Sequence, residues 1–390
     1  MDKSALNRRR FLQLGVAATA CAAATTSGIA SRASVSEDKN KTIFRTLGKT
    51  GIQVPIVSMG VMRADNPNIL KAAYQIGITF FDTAHGYQEG RNEEMVGTFL
   101  KDKTRDSFVV ATKIHVPKDT SKERFLEMVD ISLKRLQVDY VDILYLHAVD
   151  DPEVLYSENF IEALKTAKEQ GKTRHVGFST HKNMAELINT AVEKGFYEVI
   201  LTTYNFRLAK DENMTAALQK AHDAGIGLVG MKNMAGGWLD EAKTKKVNCK
   251  AALKWALTNP FIHTCIPGIV SFEMLMENWT VASDISLSVA EKEDLQLALN
   301  ETGMFCTGCN SCSGKCKNDL PVSDLMRSYM YNYAYAYPAK AWKTVVEAGV
   351  STDPCANCDE CTVNCKSGFD VRGKITNIAR IQTVPGEFLV

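Results

Sequence analysis

Along residues 43–282 the chain repeats one alternation. A short apolar run is followed by a longer stretch in which apolar positions recur at intervals of three and four. The apolar runs are Ile56–Met59, Thr79–Phe81, Phe108–Ala111, Tyr140–Leu146, His175–Phe178, Val199–Thr203, Gly227–Met231 and Thr264–Ile266. Helical spacing fills the stretches near 67–76, 92–100, 121–136, 158–170, 182–194, 211–224, 248–258 and 271–282. In 121–136, for instance, Phe125, Met128, Val129, Ser132, Leu133 and Leu136 fall on one face. Eight strand–helix units over this length predict an α/β fold, a (β/α)8 TIM barrel. An open doubly wound sheet would want a GxGxxG turn after an early strand, and no such turn is present. Ahead of the first unit, residues 43–56 read as a hairpin turning at Gly48 and Gly51.

The alternation stops near residue 288, and the chemistry of the chain changes with it. Of the 11 cysteines, eight lie between Cys306 and Cys365. We therefore expect a barrel over 41–288 and a small α-helical, ferredoxin-like iron–sulfur domain over 289–390. Residues 1–35 are of a third kind. Arg8-Arg9-Arg10-Phe11-Leu12 precedes a short apolar, Ala-rich stretch that reaches Ala24. That is the make-up of an export signal, too short to span a bilayer comfortably. The stretch from Asn7 to Leu12 resembles a twin-arginine signal, which a receptor reads. The resemblance implies the twin-arginine translocase as a partner and a periplasmic destination. Cleavage after Ala30 or Ala33 and lipid attachment at Cys21 are both open. Net charge is +1, so no general attraction to nucleic acid is expected.

In a (β/α)8 barrel the C-terminal ends of the strands share one mouth. Three ionisable residues fall at such ends: Asp82 after the second strand, Lys113 after the third and His147 after the fourth, with Tyr87 in the loop beside them. The set suits carbonyl reduction. Hydride attack leaves an alkoxide that needs a proton. Tyr87 can donate it, but a free phenol has a pKa of about 10. A neighbouring ammonium, Lys113, is expected to lower that value. Asp82 would hold Lys113, and His147 would orient the carbonyl oxygen.

The stretches FDTAHGYQEGRNEEMVG, ATK and DYVDILYLH resemble the segments that carry the Asp-Tyr-Lys-His tetrad of aldo-keto reductases. RHVGFSTH and CIPGIVSFEMLMEN extend the likeness over roughly residues 43–282. The resemblance implies an NAD(P)-dependent oxidoreductase with Asp82, Tyr87, Lys113 and His147 as its tetrad. It also implies a nicotinamide carboxamide near Ser179 and Thr180, with Leu201 where relatives carry Gln. Met231 would pack under the ring in place of an aromatic, and Lys232 would meet the diphosphate. The diphosphate and adenosine end would fall at Gly268, Ser271, Glu277 and Asn278. Relatives that prefer NADP grip its 2′-phosphate with cations. Gly268, Ile269 and Met274 offer none, which leans the cofactor toward NAD.

The eight clustered cysteines form two C-x2-C-x2-C-x3-C runs, Cys306/Cys309/Cys312/Cys316 and Cys355/Cys358/Cys361/Cys365. This is the spacing of bacterial two-cluster ferredoxins, in which the fourth cysteine serves the other cluster. The resemblance implies two 4Fe-4S clusters, one on Cys306, Cys309, Cys312 and Cys365, the other on Cys355, Cys358, Cys361 and Cys316. The proline that usually follows the fourth cysteine is replaced by Lys317 and Lys366. Zinc would use paired C-x2-C units and leave the third cysteine surplus. Export favours disulfides, but three sulfurs within seven residues suit a cluster corner better than bridges between distant segments.

Between the runs, Tyr329, Tyr331, Tyr333, Tyr335, Tyr337 and Trp342 are expected to pack the module onto the barrel rather than to relay electrons. The leading function is an exported reductase or dehydrogenase of a small carbonyl or alcohol, with a redox partner protein joined through the clusters. An electron-transfer subunit that uses the barrel as a docking scaffold is the alternative. A binding protein on a decayed barrel is the third.

Overall fold

The computed structural model describes residues 42–115 and 117–389. Residues 1–35, expected to be an export signal, and Cys21 within them lie outside the described residues. The chain enters through an antiparallel hairpin, β1 (Phe44–Thr46) and β2 (Gln53–Pro55), in which Arg45 pairs with Val54. Its turn abuts the start of a barrel strand, where the Lys49 amide donates to Gly225 O at 2.8 Å. Leu47 and Val54 are buried with Phe80, Ile143, Val199 and Val229 of the barrel interior. The hairpin thus plugs the end of the barrel at which the strands begin.

Eight parallel strands follow in sequence order: β3 (Met59–Gly60), β4 (Phe80–Asp82), β5 (Val109–Ile114), β6 (Val141–Leu146), β7 (Thr173–Thr180), β8 (Val199–Thr203), β9 (Gly227–Met231) and β10 (Thr264–Cys265). Parallel bridges Val57↔Cys265 and Gly60↔Gly268 join the last strand to the first. The strand runs expected from the apolar pattern all appear, displaced by at most a few residues. β5 and β6 are buried along their whole length because helices cover the outside and side chains fill the inside. The helix expected over 121–136 spans Lys122–Leu136. It buries Phe125, Val129, Ser132, Leu133 and Leu136, and Ser121 caps it. Gly97 lets the preceding helix, Arg91–Leu100, approach closely. A Cβ there would stand 2.2 Å from the Arg135 carbonyl oxygen.

Beyond the barrel lie four longer helices, Val289–Asn300, Val322–Tyr333, Pro338–Glu347 and Val371–Ala379, with no strand among the described residues. They share one apolar cluster with the barrel. Phe206, Ala235, Val247 and Ala252 on the barrel side meet Leu325, Met326, Tyr329, Ala341, Val345 and Ile375. The expected packing role of the tyrosines holds for Tyr329 and Tyr331, which are buried. Backbone contacts tie the module to the barrel mouth. The Asn183 amide donates to Gly308 O at 3.0 Å, and Arg63 donates to Tyr335 O at 2.7 Å. All described residues fall in one compact unit.

Candidate active site

The register of β4 and β5 sets the first pair. Asp82 ends β4 opposite Ala111, and Lys113 lies two residues further along β5. Lys113 Nζ donates to Asp82 Oδ1 and to Thr83 O, both at 2.5 Å, and stands 3.5 Å from the Tyr87 hydroxyl. His147 follows β6 directly. Its amide donates to Ile114 O at 2.9 Å, and its ring lies edge-on to Tyr87 with centroids 5.6 Å apart. All four tetrad residues therefore meet at one recess.

Tyr87 sits in a loop, and the loop is braced. Gln88 and Glu89 hold left-handed backbone, φ 50° and 59°. The Gln88 side-chain Nε2 donates to Met62 O and Ala64 O, both at 3.1 Å. Asn92 accepts from the Thr83 hydroxyl at 2.6 Å and donates to Val61 O at 2.7 Å. Gly90 has φ 96°, and a Cβ there would stand 2.3 Å from the Arg135 guanidinium carbon. That guanidinium donates to His85 O at 3.0 Å and pairs with buried Glu93. The conspicuous Asn-Glu of the FDTAHGYQEGRNEE stretch thus supports the loop and does not enter the recess.

Burial controls the protonation of the set. It pushes Tyr87 above the ordinary phenol value, and Lys113 offsets only part of that rise. This corrects the expectation that the ammonium leaves the phenol more acidic than free tyrosine. Tyr87 is therefore protonated at neutral pH. Burial disfavours the Lys113 ammonium too, but Asp82 and Tyr87 outweigh it and hold its pKa above the usual lysine value. Burial raises Asp82 against the pull of Lys113. With its ammonium at 2.5 Å, we take the pair as ionic. His147 lies well below the usual range through burial, then through Lys113, His115 and Lys340. Its imidazole is neutral.

The residues expected around a dinucleotide fall into two groups. Ser179 and Thr180 end β7 and are buried. Ser179 accepts from the Ala148 amide at 2.9 Å, and Thr180 donates to Lys182 O at 3.0 Å. Met231 ends β9, half-buried. Lys232 follows with φ 56°, its ammonium 5.3 Å from the centroid of the Tyr331 ring. These four share the barrel mouth with the tetrad. Gly268, Ser271, Glu277 and Asn278 lie past β10. Gly268 is exposed beside Gly60, and Ser271 caps the Phe272–Trp279 helix by accepting from the Met274 amide at 3.2 Å. Glu277 is half-buried and Asn278 buried on that helix.

The sequence reading missed several groups at the recess: His115, His181, Arg327, Tyr331 and Lys340. His181 was visible at the end of RHVGFSTH. Arg327 and Tyr331 share a helical face by their spacing of four, but nothing local says what that face meets.

Each of the ten described cysteines is a free thiol. Cys306, Cys309, Cys312 and Cys365 line one small cavity, with Val322, Met326, Phe369 and Val371 among its walls. Cys355 lies within electrostatic reach of Cys358, Cys316 and Cys361. The two runs thus exchange their fourth cysteines. Among the described residues no three His, Cys, Asp or Glu side chains converge closely enough to hold a single metal ion.

Comparison with known proteins identifies a family. The family model described as "Aldo/keto reductase family" matches residues 51–251, just over half of the chain. The chain is 29% identical over 294 residues to L-galactose dehydrogenase of Arabidopsis thaliana, covering 65% of this chain and 92% of the relative. It is 31% identical over 170 residues to L-glyceraldehyde 3-phosphate reductase of Escherichia coli (strain K12), 37% of this chain and 49% of that protein. Among solved structures, an aldo-keto reductase of Bacillus halodurans in its holo form superposes with a TM-score of 0.55 at 24% identity, covering 66% of this chain and 96% of its own. That likeness concerns the fold.

Proposed function

The chain belongs to the aldo/keto reductase family, and from that premise we propose that it interconverts a small carbonyl compound and its alcohol, with Tyr87 and His147 as catalytic residues and Lys113 and Asp82 positioning them. The observation that carries this reading is Lys113 Nζ, 2.5 Å from Asp82 and 3.5 Å from the Tyr87 hydroxyl. A bound nicotinamide would supply or accept hydride. The residues present fit one. Thr203 ends β8 with a buried hydroxyl that lacks a partner among the described residues, which suits a carboxamide, and Ser179 and Met231 end the strands on either side of it. Gly268, Ile269 and Met274 bring no cation for a 2′-phosphate, so the reading leans to NAD.

In the reducing direction the substrate oxygen sits between Tyr87 and His147. Neutral His147 donates a hydrogen bond that orients it. Protonated Tyr87 passes its proton to the developing alkoxide, and Lys113 at 3.5 Å stabilises the phenolate that forms. Asp82 fixes the ammonium. In the oxidising direction the same groups run in reverse.

For the cysteine module the proposal is two 4Fe-4S clusters, on Cys306, Cys309, Cys312 and Cys365 and on Cys355, Cys358, Cys361 and Cys316. The fit rests on four free thiols from two segments around one cavity and on the spacing of the two cysteine runs. Zinc, which draws four ligands onto one tetrahedral centre, suits it poorly. Clusters would exchange single electrons with a redox partner. Residues 1–35, as a twin-arginine signal, would carry the folded, loaded protein across the cytoplasmic membrane.

Replacing Tyr87 by Phe tests the core of the reading. Turnover of aldehydes with NADH is expected to fall by about 10²–10⁴-fold, while NADH titration stays near wild type. Unchanged turnover would remove Tyr87 as the donor.

A further inference from the structure

The catalytic recess has a second wall that the reduction chemistry leaves unused. It is built by the Val322–Tyr333 helix and the start of the Pro338–Glu347 helix, which face His181 and Lys232 of the barrel. Arg327 Nη2 lies 2.6 Å from His181 Nε2 and 3.4 Å from the Tyr331 hydroxyl. Lys232 stands over the Tyr331 ring. Lys340 is near enough to depress His147, and Tyr331 near enough to bear on Tyr87. Lys340 and Tyr331 therefore lie within electrostatic reach of His147 and of the proton donor.

The charges on this wall do not balance. Asp324 is shared by Arg327 at 3.4 Å and Lys182 at 3.5 Å, and Asp150 is taken by Lys182 at 3.5 Å. Among the described residues, no carboxylate pairs with Lys232 or Lys340. Arg327 Nε is buried without an acceptor. Clustered cationic donors with open valence, near the half-buried Tyr87, are what a charge-assisted contact to an anion requires.

We propose that this wall binds an anionic group, a carboxylate or a phosphate, carried by the substrate, with Arg327, Lys232 and Lys340 as its ligands, so that the fused module makes the reductase selective for acidic carbonyl compounds. The proposal rests on the carbonyl–alcohol reading above and deepens it. Arg327 and Lys340 come from the module, so the barrel alone lacks the site.

The test compares the full-length holoenzyme on matched pairs with NADH: 4-carboxybenzaldehyde against 4-methylbenzaldehyde, and glycolaldehyde phosphate against glycolaldehyde. The anionic member of one pair is expected to be favoured in kcat/KM by roughly 10- to 100-fold, the range of a charge-assisted contact. The pair that shows the preference identifies the group. Arg327→Gln with Lys340→Gln should collapse the preference, mainly through KM. Arg327→Lys, which keeps charge but loses the planar fork, should restore part of it. Lys340→Gln alone, at a half-buried position, guards against a folding defect. Equal use of both members by the wild type overturns the proposal. So does a loss of NADH affinity that matches the rise in KM, which would assign the cations to the cofactor diphosphate. A shifted cluster potential with the preference intact would assign them to the clusters and overturn it as well. If no aldehyde is turned over, the carbonyl reading fails. Calorimetric titration of benzoate and inorganic phosphate then judges the wall by itself: binding that the double variant loses supports it, and no binding overturns it.

Discussion

The barrel mouth and the cysteine module both concentrate reactive groups, but they hold them in different ways. At the mouth, the charged pair beside Tyr87 is closed within the chain. Lys113 is clasped by Asp82 and Thr83 O, and strand register delivers both at fixed positions. The Tyr87 loop is tied at Gln88, Asn92 and Gly90. In the module, four thiols surround a small cavity lined by both polar and apolar residues, and none is bonded to another. The Asp82–Lys113 pair is organised before any substrate arrives. On the proposed cluster reading, the free thiols of the module would instead be organised by what they hold.

The sharpest way to break that comparison is to take one partner from the self-sufficient site. Lys113→Met leaves Asp82 buried without its cation. Activity should fall by about 10²–10⁴-fold, and stability by about 3–5 kcal/mol, as for other broken buried pairs. Adding Asp82→Asn should recover much of the stability and none of the activity. Thermal melts and aldehyde turnover on the three variants separate the two effects. Activity that returned with stability would make the pair purely structural.

On the proposed cluster reading the module's order depends on what it holds, and it should respond in the opposite manner. Anaerobically purified protein is expected to hold about eight irons, as two cubanes require. Cys306→Ser with Cys309→Ser should remove about half of them while Tyr87-dependent chemistry on neutral aldehydes persists. Zinc in place of iron, or disulfides mapped among the eight cysteines, would refute the cluster assignment.

How far each region was legible follows from the range of the forces that build it. Strand–helix alternation is a local signal, so the eight units and the strand-end placement of Asp82, Lys113 and His147 could be read directly. The cysteine runs are local too. Burial is not local. The sequence put an ammonium beside Tyr87 and so an acidic phenol, whereas the fold buries that phenol and reverses the net shift. The module's return onto the barrel mouth was equally hidden. The Val322–Tyr333 helix buries an apolar face, but amphipathicity does not say which surface covers it. Arg327, Tyr331 and Lys340 reach the recess only through that long-range packing.

A smaller effect probes the barrel's own rigidity. Gly97→Ala places a methyl 2.2 Å from the Arg135 carbonyl oxygen, where neighbouring backbone cannot yield cheaply. Overpacking of this kind costs about 1–3 kcal/mol, so the melting temperature should drop with iron content unchanged. Because Arg135 also braces the Tyr87 loop, kcat should fall more than KM rises. A variant as stable as wild type would mean that the two helices slide apart freely.

The smallest effect lies where the two regions meet. Burial raises the Tyr331 phenol, but Lys232, Arg327 and Lys340 together outweigh it and bring the pKa down to about 7. His181, held well below its usual range by burial and by these same cations, faces Tyr331 as a neutral ring, and Tyr335 and Tyr87 add no cation. Below pH 7 the phenol is neutral and leaves the cations to an anionic substrate. Above it the phenolate forms and competes for Lys232 and Arg327. KM for an acidic aldehyde should therefore rise several-fold between about pH 6 and pH 8, roughly the change expected when one of three cations is neutralised. KM for its neutral counterpart should stay level over the same range. Tyr331→Phe retains the ring beneath Lys232 and removes the ionisation, so its profile for the acidic aldehyde should be flat. Parallel pH profiles for both aldehydes in the wild type would show that the wall does not hold the acidic group.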